Sequence, residues 1–567
     1  MASSRTPLGG LLLITILLSA FPHLNYADTL YVTPTADASN KDCTSPATPC
    51  ALATAIQIAP SGSDLDLSGN FGPDQYSAAG LAITQLELNI ISSKLNAQFY
   101  VPATVATLPD TPPQIFSITT EFSTIRFEGL TFTDAPEAKD KGGTSFPPTP
   151  KIAVVWNAIA IMSSSDVIVK SCTFRDITIP SPDMYTANIG RIVVVGAKAE
   201  MPSVQISHCT FTNLQNVTAV YYGGAQHVDA DTNDETILDF MLVVDNCHFE
   251  GNTNVGEALI WFQDGDTGAT LHDFSVEITS NVSFINNNAR MIGGKMPLTF
   301  NDTGIVALID VEISDNIFNA TYEKDGFGFV EITYASQVNV SNIYATNNTL
   351  LGGPKSYVDP TLFAVFQVDF SLKNHIYNAE IVDSLFTFNQ NANPILFNCQ
   401  RKTPTNMAVR RCIFHNNTVA VTASVSAIGT APDSYLLMED NKYENNNVTD
   451  VKVLTDWNLG NGAFITCDGG GQVDIYGNAT DFGPLGKMRG IYGSCKKRCT
   501  GFDATEMDEV CGVTGTTMST YVMSGLVCAV ILGLVIYHIF YVVTKKKEED
   551  PEQYGELNSA LLDNGYD

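Results

Sequence analysis

Apolar residues along this chain recur in a short phrase: two of them one residue apart, a two-residue interruption, then an apolar-x-aromatic pair. The phrase is plainest in residues 167–174, 204–211 and 242–249, which end at Phe174, Phe211 and Phe249. With the final Phe as zero, the apolar positions are −7, −5, −2 and zero, so the alternation changes phase at −4 and −3. Period-2 alternation turns −7 and −5 to one face of a strand, and the phase change turns −2 and zero inward from a second strand. Two short strands therefore meet at a bend.

The same frame fits Ile125/Phe127/Leu130/Phe132, Val311/Ile313/Asn316/Phe318, Val338/Val340/Ile343/Ala345, Ala379/Ile381/Ser384/Phe386, Met407/Val409/Cys412/Phe414 and Leu436/Met438/Asn441/Tyr443, and with one extra residue the copy ending at Phe284. One such unit buries little. Copies that stack can pair backbone to backbone and lay each inward side chain on its equivalent in the next copy, which makes a solenoid of parallel strands. Successive zero positions lie 27 to 42 residues apart, so a constant rung carries variable excursions. The Leu-x-x-Leu-x-Leu frame and any sustained helical period are missing, which sets leucine-rich and helical repeats aside. A large β-sandwich built from ordinary alternating strands is the competing fold.

Length and composition sharpen this. The chain has 567 residues, 44% of them hydrophobic, enough for a large core. A formal charge of −30 excludes nucleic acid as a partner, since neutralising phosphates needs clustered Lys and Arg. Arg5, the apolar run from Leu11 to Ala20 and the small residue Ala27 predict a secretory signal peptide over 1–27. Residues 521–543 are almost wholly apolar, long enough to cross a hydrocarbon core of about 30 Å. Lys545, Lys546 and Lys547 follow at once and predict a cytosolic C-terminus, with the repeat domain extracellular or lumenal. Nine Asn-x-Ser/Thr sequons then fall on the lumenal side, at Asn216, Asn281, Asn301, Asn319, Asn339, Asn347, Asn416, Asn447 and Asn478.

The mature chain opens with Tyr31-Val32-Thr33-Pro34, then Cys43, Pro49-Cys50, a helical Ala-rich run over 51–59, a strand ending at Gly69 and further alternation over 81–92. This opener resembles the start of right-handed parallel β-helix proteins of the pectin-lyase-like superfamily. The resemblance implies that the short helix caps the first coil, and it implies a Cys43–Cys50 disulfide. The rungs are similar to the Phe-x-x-Asn repeats of polymorphic outer membrane proteins, at Phe249-Glu250-Gly251-Asn252, Phe284-Ile285-Asn286-Asn287, Phe388-Asn389-Gln390-Asn391 and Phe414-His415-Asn416-Asn417, with Tyr344 before Asn347 and Tyr443 before Asn446. The Asn of such a coil is expected to bond backbone groups at a turn and to stack into a ladder. The expected fold class is all-β: a right-handed parallel β-helix over 28–460, a cysteine-rich collar over 461–515, one transmembrane helix over 521–543 and a disordered cytosolic tail over 544–567.

Eleven cysteines lie outside the apolar span and Cys528 within it. Cys467, Cys495, Cys499 and Cys511 are expected to make two collar disulfides. Cys172, Cys209 and Cys247 share position −2 on consecutive rungs, either as small buried hydrophobes or paired between neighbours; a Cys399–Cys412 pairing also stays open. No Cys/His set has zinc-ligand spacing, and the acidic run from Asp229 to Glu235 lacks the glycine-centred frame of a calcium loop, so no metal or other cofactor is implied.

Two functional classes remain. A binding protein, adhesin or receptor-like, would display loops and a long side face to a carbohydrate or protein ligand. A polysaccharide lyase or glycoside hydrolase is the alternative, although the Gly-His-Gly and Arg-Ile-Lys tripeptides of the polygalacturonase-like subset do not occur. Neither class supplies a nominated catalytic residue. In the tail, Tyr554-Gly555-Glu556-Leu557 resembles the Tyr-x-x-apolar signal that clathrin adaptors bind, Tyr554 and Leu557 each filling a pocket. That signal places the protein at the plasma membrane or in an endosomal, lysosome-like membrane.

Overall fold

The computed structural model describes residues 28–549, apart from 106–113, 135–151, 179–189, 196–202, 224–239, 264–273, 296–304, 352–362, 449–462, 477–488, 501–514 and several other short intervals. Its strands pair in parallel, coil upon coil, into one 25-stranded and one 13-stranded sheet, the topology of a parallel β-helix. The fold thus rests on this chain's own hydrogen-bonded register.

Each coil carries a long strand, a short strand and a third strand. In one coil these are Asp166–Lys170, Thr173–Arg175 and Gly190–Val195. The first two are the predicted pair, joined at the predicted bend. They belong to one sheet because the ten-residue strands Ile305–Ser314 and Gln337–Thr346 run unbroken through the bend. The third strand has no fixed distance from the bend, since excursions of unequal length precede it, and the repeated phrase does not include it.

The bend has a uniform cause. Position −3 takes a left-handed backbone at Gly129, Ser171, His208, Asn246, Asn281, Asp310, Asn342, Asp383, Arg411 and Asp440, with φ between 48° and 69°. Position +2 does the same at Asp176, Asn213, Gly251, Asn286, Asp315, Asn347, Phe388, Asn416 and Asn445. Asn, Asp and Gly dominate because they meet the least resistance at positive φ. The polar interruption in the phrase is therefore a conformational requirement.

Inside, the zero residues stack. Phe71, Phe99, Phe132, Phe174, Phe211, Phe249 and Phe284 lie ring on ring, with centroids 4.6–5.2 Å apart and interplanar angles of 5–18°. Phe71 and Phe99 add two coils before the first one expected at Phe132. The expected copy ending at Phe318 is displaced by five residues: Phe284 pairs with Ile313, and Ile313 with Ala345. Phe318 belongs instead to the strand Ile317–Asn319, which pairs with Thr349–Leu351 beyond the turn. The rings resume with Phe386, Phe414 and Tyr443.

Position +3 carries the asparagine ladder, through Asn252, Asn287, Asn316, Asn348, Asn389, Asn417 and Asn446, each buried. Each Nδ2 donates to the carbonyl of the zero residue one coil back, as Asn287 does to Phe249 at 3.0 Å. From Asn252 to Asn417, Nδ2 also donates to Oδ1 of the next asparagine at 2.9–3.0 Å. Asn347 and Asn391, expected in this role, instead hold left-handed turn positions beside it; the ladder members in their coils are Asn348 and Asn389.

At the N-terminal end, α1 (Leu52–Ile58) buries Leu52, Ala55 and Ile56. The Tyr31 N–H donates to the Cys43 carbonyl and the Cys50 N–H to the Tyr31 carbonyl. Cys43 and Cys50 are disulfide-bonded, their Cα atoms 5.2 Å apart. At the other end, strands Ala463–Gly469, Gln472–Tyr476, Arg489–Tyr492 and Lys496–Thr500 extend both sheets, so coils continue to Thr500 where a separate collar was expected from 461. A Cys467–Cys495 disulfide ties these last coils. The side chain of Cys499 and all of Cys511 lie outside the described residues. Cys172, Cys209, Cys247, Cys399 and Cys412 are buried and not disulfide-bonded, so neither open pairing is present in the structure.

The C-terminal unit is separate. Helix α2 (Gly515–Glu549) contains the apolar span Met523–Val542, of mean hydropathy 2.3, long enough to cross a membrane. It continues through Lys545–Lys547 to Glu549, where a disordered tail was expected from 544. Lys and Glu are good helix formers, and lysines suit a helix C-terminus. Tyr554 and Leu557 lie outside the described residues.

Candidate functional site

The outward side of the 13-stranded sheet carries a mixed cluster of aromatic, basic and acidic side chains. One outward column runs through Tyr221, Trp261, Gly293 and Glu331 on successive coils. Outward residues of a sheet are expected to be small or polar, so neighbouring Tyr and Trp break the pattern. Gly293 explains how Trp261 fits: a Cβ there would lie 2.9 Å from the indole and 3.1 Å from Arg290 Cδ. The missing side chain lets the Trp261 ring lie over the next coil.

Arg290 is buried, at 8% exposure, with its guanidinium carbon 5.9 Å from the Trp261 ring centre. That is within reach of a cation–π contact. Arg290 Nη1 also lies 3.0 Å from Glu331 Oε2, an ion pair. A guanidinium so sheltered needs its carboxylate partner, because burying an unpaired charge is costly. Trp261 is half-buried, and the patch combines a flat apolar ring with a neutralised ion pair.

A second cluster lies at the turn after the short strand. Asp134 and Asp176 occupy position +2 on neighbouring coils, beside the paired Thr133 and Arg175. Asp134 Oδ2 accepts the Thr178 N–H at 2.9 Å, while its buried Oδ1 has no hydrogen-bond partner among the described residues. Burial, which outweighs the Thr178 hydrogen bond, together with the charge of Asp176 pushes the Asp134 carboxyl up to about 6. Asp176 accepts from Asn213 Nδ2 at 3.0 Å. One carboxyl poised between acid and base, next to another, is the arrangement general acid–base chemistry uses.

Elsewhere the outer charges hold one another. Arg410 bridges Glu380 at 2.9 Å and Glu439 at 3.3 Å, and Arg411 clamps Asp383 through two nitrogens at 2.6 and 2.8 Å. The Arg411 bond lowers the Asp383 carboxyl below its ordinary range.

Of the sequon residues, Asn281 and Asn347 are exposed and Asn216 and Asn416 half-buried, all four at left-handed turn positions. Asn347 Nδ2 donates to Asp315 at 2.6 Å. Asn339 is half-buried on the long strand Gln337–Thr346. Asn319 and Asn447 fall in strands whose side chains there are not described, and Asn301 and Asn478 lie outside the described residues. Neither Trp261, Arg290 and Glu331 nor Asp134 was singled out by sequence. An aromatic residue at an outward position next to the coil of Gly293-Gly294 would have been the signal, once the third strand was placed.

No protein-family profile and no curated protein matches the chain. Among solved structures it is similar to the GH136 lacto-N-biosidase from Eubacterium ramulus, at 14% identity over 74% of this chain and 67% of that one, with a TM-score of 0.33. Pectate lyase Pel9A aligns at 10% identity over 84% and 78%, TM-score 0.26, and a rhamnogalacturonan lyase at 11% over 84% and 88%, also 0.26. Similarity this low carries nothing over to the sites described here.

Proposed function

We propose that this chain is a single-pass membrane glycoprotein whose β-helix is a binding element, adhesin or receptor-like, standing outside the cytosol. The observation that carries this reading is the Trp261–Arg290–Glu331 patch on an outward sheet face. A flat indole suits the C–H face of a sugar ring, and the ion pair beside it offers donors and acceptors to ring hydroxyls without net charge. A carbohydrate is the ligand class that fits. Helix α2 supplies the anchor, the sequons supply glycan sites, and Tyr554 with Leu557 supplies an adaptor signal that would cycle the protein through endosomes.

Incubating the full chain with neutral and acidic polysaccharides, with and without calcium, tests this. Binding that Trp261→Ala weakens at least tenfold without lowering the melting temperature supports the reading; binding indifferent to Trp261 removes the patch from it.

The Asp134–Asp176 pair favours a second reading, hydrolysis or elimination on a polysaccharide. Release of reducing or unsaturated ends by the wild type, abolished in Asp134→Asn, would establish the enzyme in place of the binding protein.

A further inference from the structure

The chain's charge is unevenly placed. Residues 482–502, which contain the last coil, carry Lys487, Arg489, Lys496, Lys497 and Arg498 and no Asp or Glu, in a chain whose formal charge is −30. Three of these basic residues begin the strand Lys496–Thr500. This strand pairs with Gln472–Tyr476 on one side, and no described strand pairs with its other edge. Lys496 and Arg498 are exposed; Arg498 reaches Asp474 only at 3.9 Å.

The coil is also fastened. Cys495, next to Lys496, is disulfide-bonded to Cys467 and its N–H donates to the Cys467 carbonyl. The basic strand is therefore held on the coil stack.

Residues 503–514 are all that join this coil to α2. Extended, twelve residues span at most about 40 Å, so an inserted α2 keeps the last coil close to a bilayer. A tethered surface meets its partner at high effective concentration, and weak electrostatic contacts then suffice. Charges on an edge strand also discourage edge-to-edge pairing, but that purpose does not need a 21-residue stretch free of acids.

We infer that the strand Lys496–Thr500, through exposed Lys496 and Arg498, docks on the headgroup phosphates of anionic phospholipid and seats the end of the β-helix on the membrane. This rests on the reading of α2 as an inserted helix.

The full chain is reconstituted into nanodiscs of phosphatidylcholine alone or with phosphatidylserine, and kept in detergent as a reference. Acetylation rates of Lys496 and Lys497 are followed by mass spectrometry, with exposed Lys41 and Lys94 of the N-terminal coils as internal standards. Docking slows the two test lysines about fivefold in phosphatidylserine discs, reversibly with high salt, and leaves the standards unchanged. In Lys496→Gln/Arg498→Gln, two exposed substitutions, the protection of Lys497 falls away. Equal rates in all three media with α2 inserted overturn docking, as does equal slowing in detergent, which would mean that protein covers the lysines. A chain that fails to enter the discs refutes the anchor itself, and docking with it.

Discussion

At the scale of single residues, the backbone sets the terms. Every described coil between Phe174 and Tyr443 turns through a left-handed residue at position +2, and Phe388 is the one bulky apolar side chain placed there, at φ 55° and 49% exposed. Among the described residues its one ring contact is with the edge of His415, 5.7 Å between centroids. A non-glycine residue at positive φ costs about 1–2 kcal/mol, less for Asn. Phe388→Asn is expected to raise unfolding free energy by about 1 kcal/mol, read by denaturant titration; a loss would mean the ring contact outweighs the backbone. Asp134 behaves in the opposite sense. Its folded pKa of about 6 lies above the ordinary 3.8, so the folded state favours the neutral acid. The resulting stabilisation is complete below the ordinary carboxylate range and is lost as pH rises through about 6. Asp134→Asn keeps an acceptor for Thr178, so it should be more stable than wild type near neutrality by about 1 kcal/mol, the full shift being discounted for partial exposure. Near pH 4 the two melting curves should converge. A gap independent of pH would locate the effect elsewhere.

At the scale of the element, the asparagine ladder shows why a polar column can sit in a core. Asn348 donates to the Ile313 carbonyl and to Asn389, and accepts the N–H and one Nδ2 hydrogen of Asn316. Asn348→Leu therefore orphans buried groups on two neighbouring coils. The expected cost is at least about 3 kcal/mol, measured by chemical denaturation. The early coils place Ile177 and Leu214 in the same column, so an apolar residue fits the space and the loss belongs to the stranded partners. This column also shows how far the fold was legible. The −7, −5, −2, zero phrase is set by burial on two strands of fixed spacing, and it located the stack, the bend and the buried thiols. It failed at Ile313, where an aliphatic residue takes the ring position and Phe318, five residues on, offers a false match. It missed the third strand because loops of unequal length erase its phase. Trp261 and Glu331 lie on that third strand and Arg290 just before it, so all three were hidden for the same reason.

At the scale of the whole molecule, the coils form one neighbour-coupled stack. Phe211 lies between Phe174 and Phe249, at 4.9 and 4.6 Å. Phe211→Asp puts an unpaired carboxylate among rings and is expected to cost more than about 4 kcal/mol. Because coils contact mainly their neighbours, hydrogen exchange should rise first around residues 174–249 and spread outward. An unaltered melting curve would contradict the register derived from the Phe column.

The steady register of the 13-stranded sheet has a further consequence, in length. Seven coil-to-coil steps lead from Trp261 through Gly293, Glu331, Gln367, Leu396, Ser426 and Thr466 to Tyr492 in the last coil. At the strand spacing of a β-sheet, about 4.8 Å, the indole stands about 34 Å along the axis from the final rung. The solenoid is thus a ruler graduated in single coils. Adding or removing one would change the stand-off of the patch by one graduation without altering its chemistry.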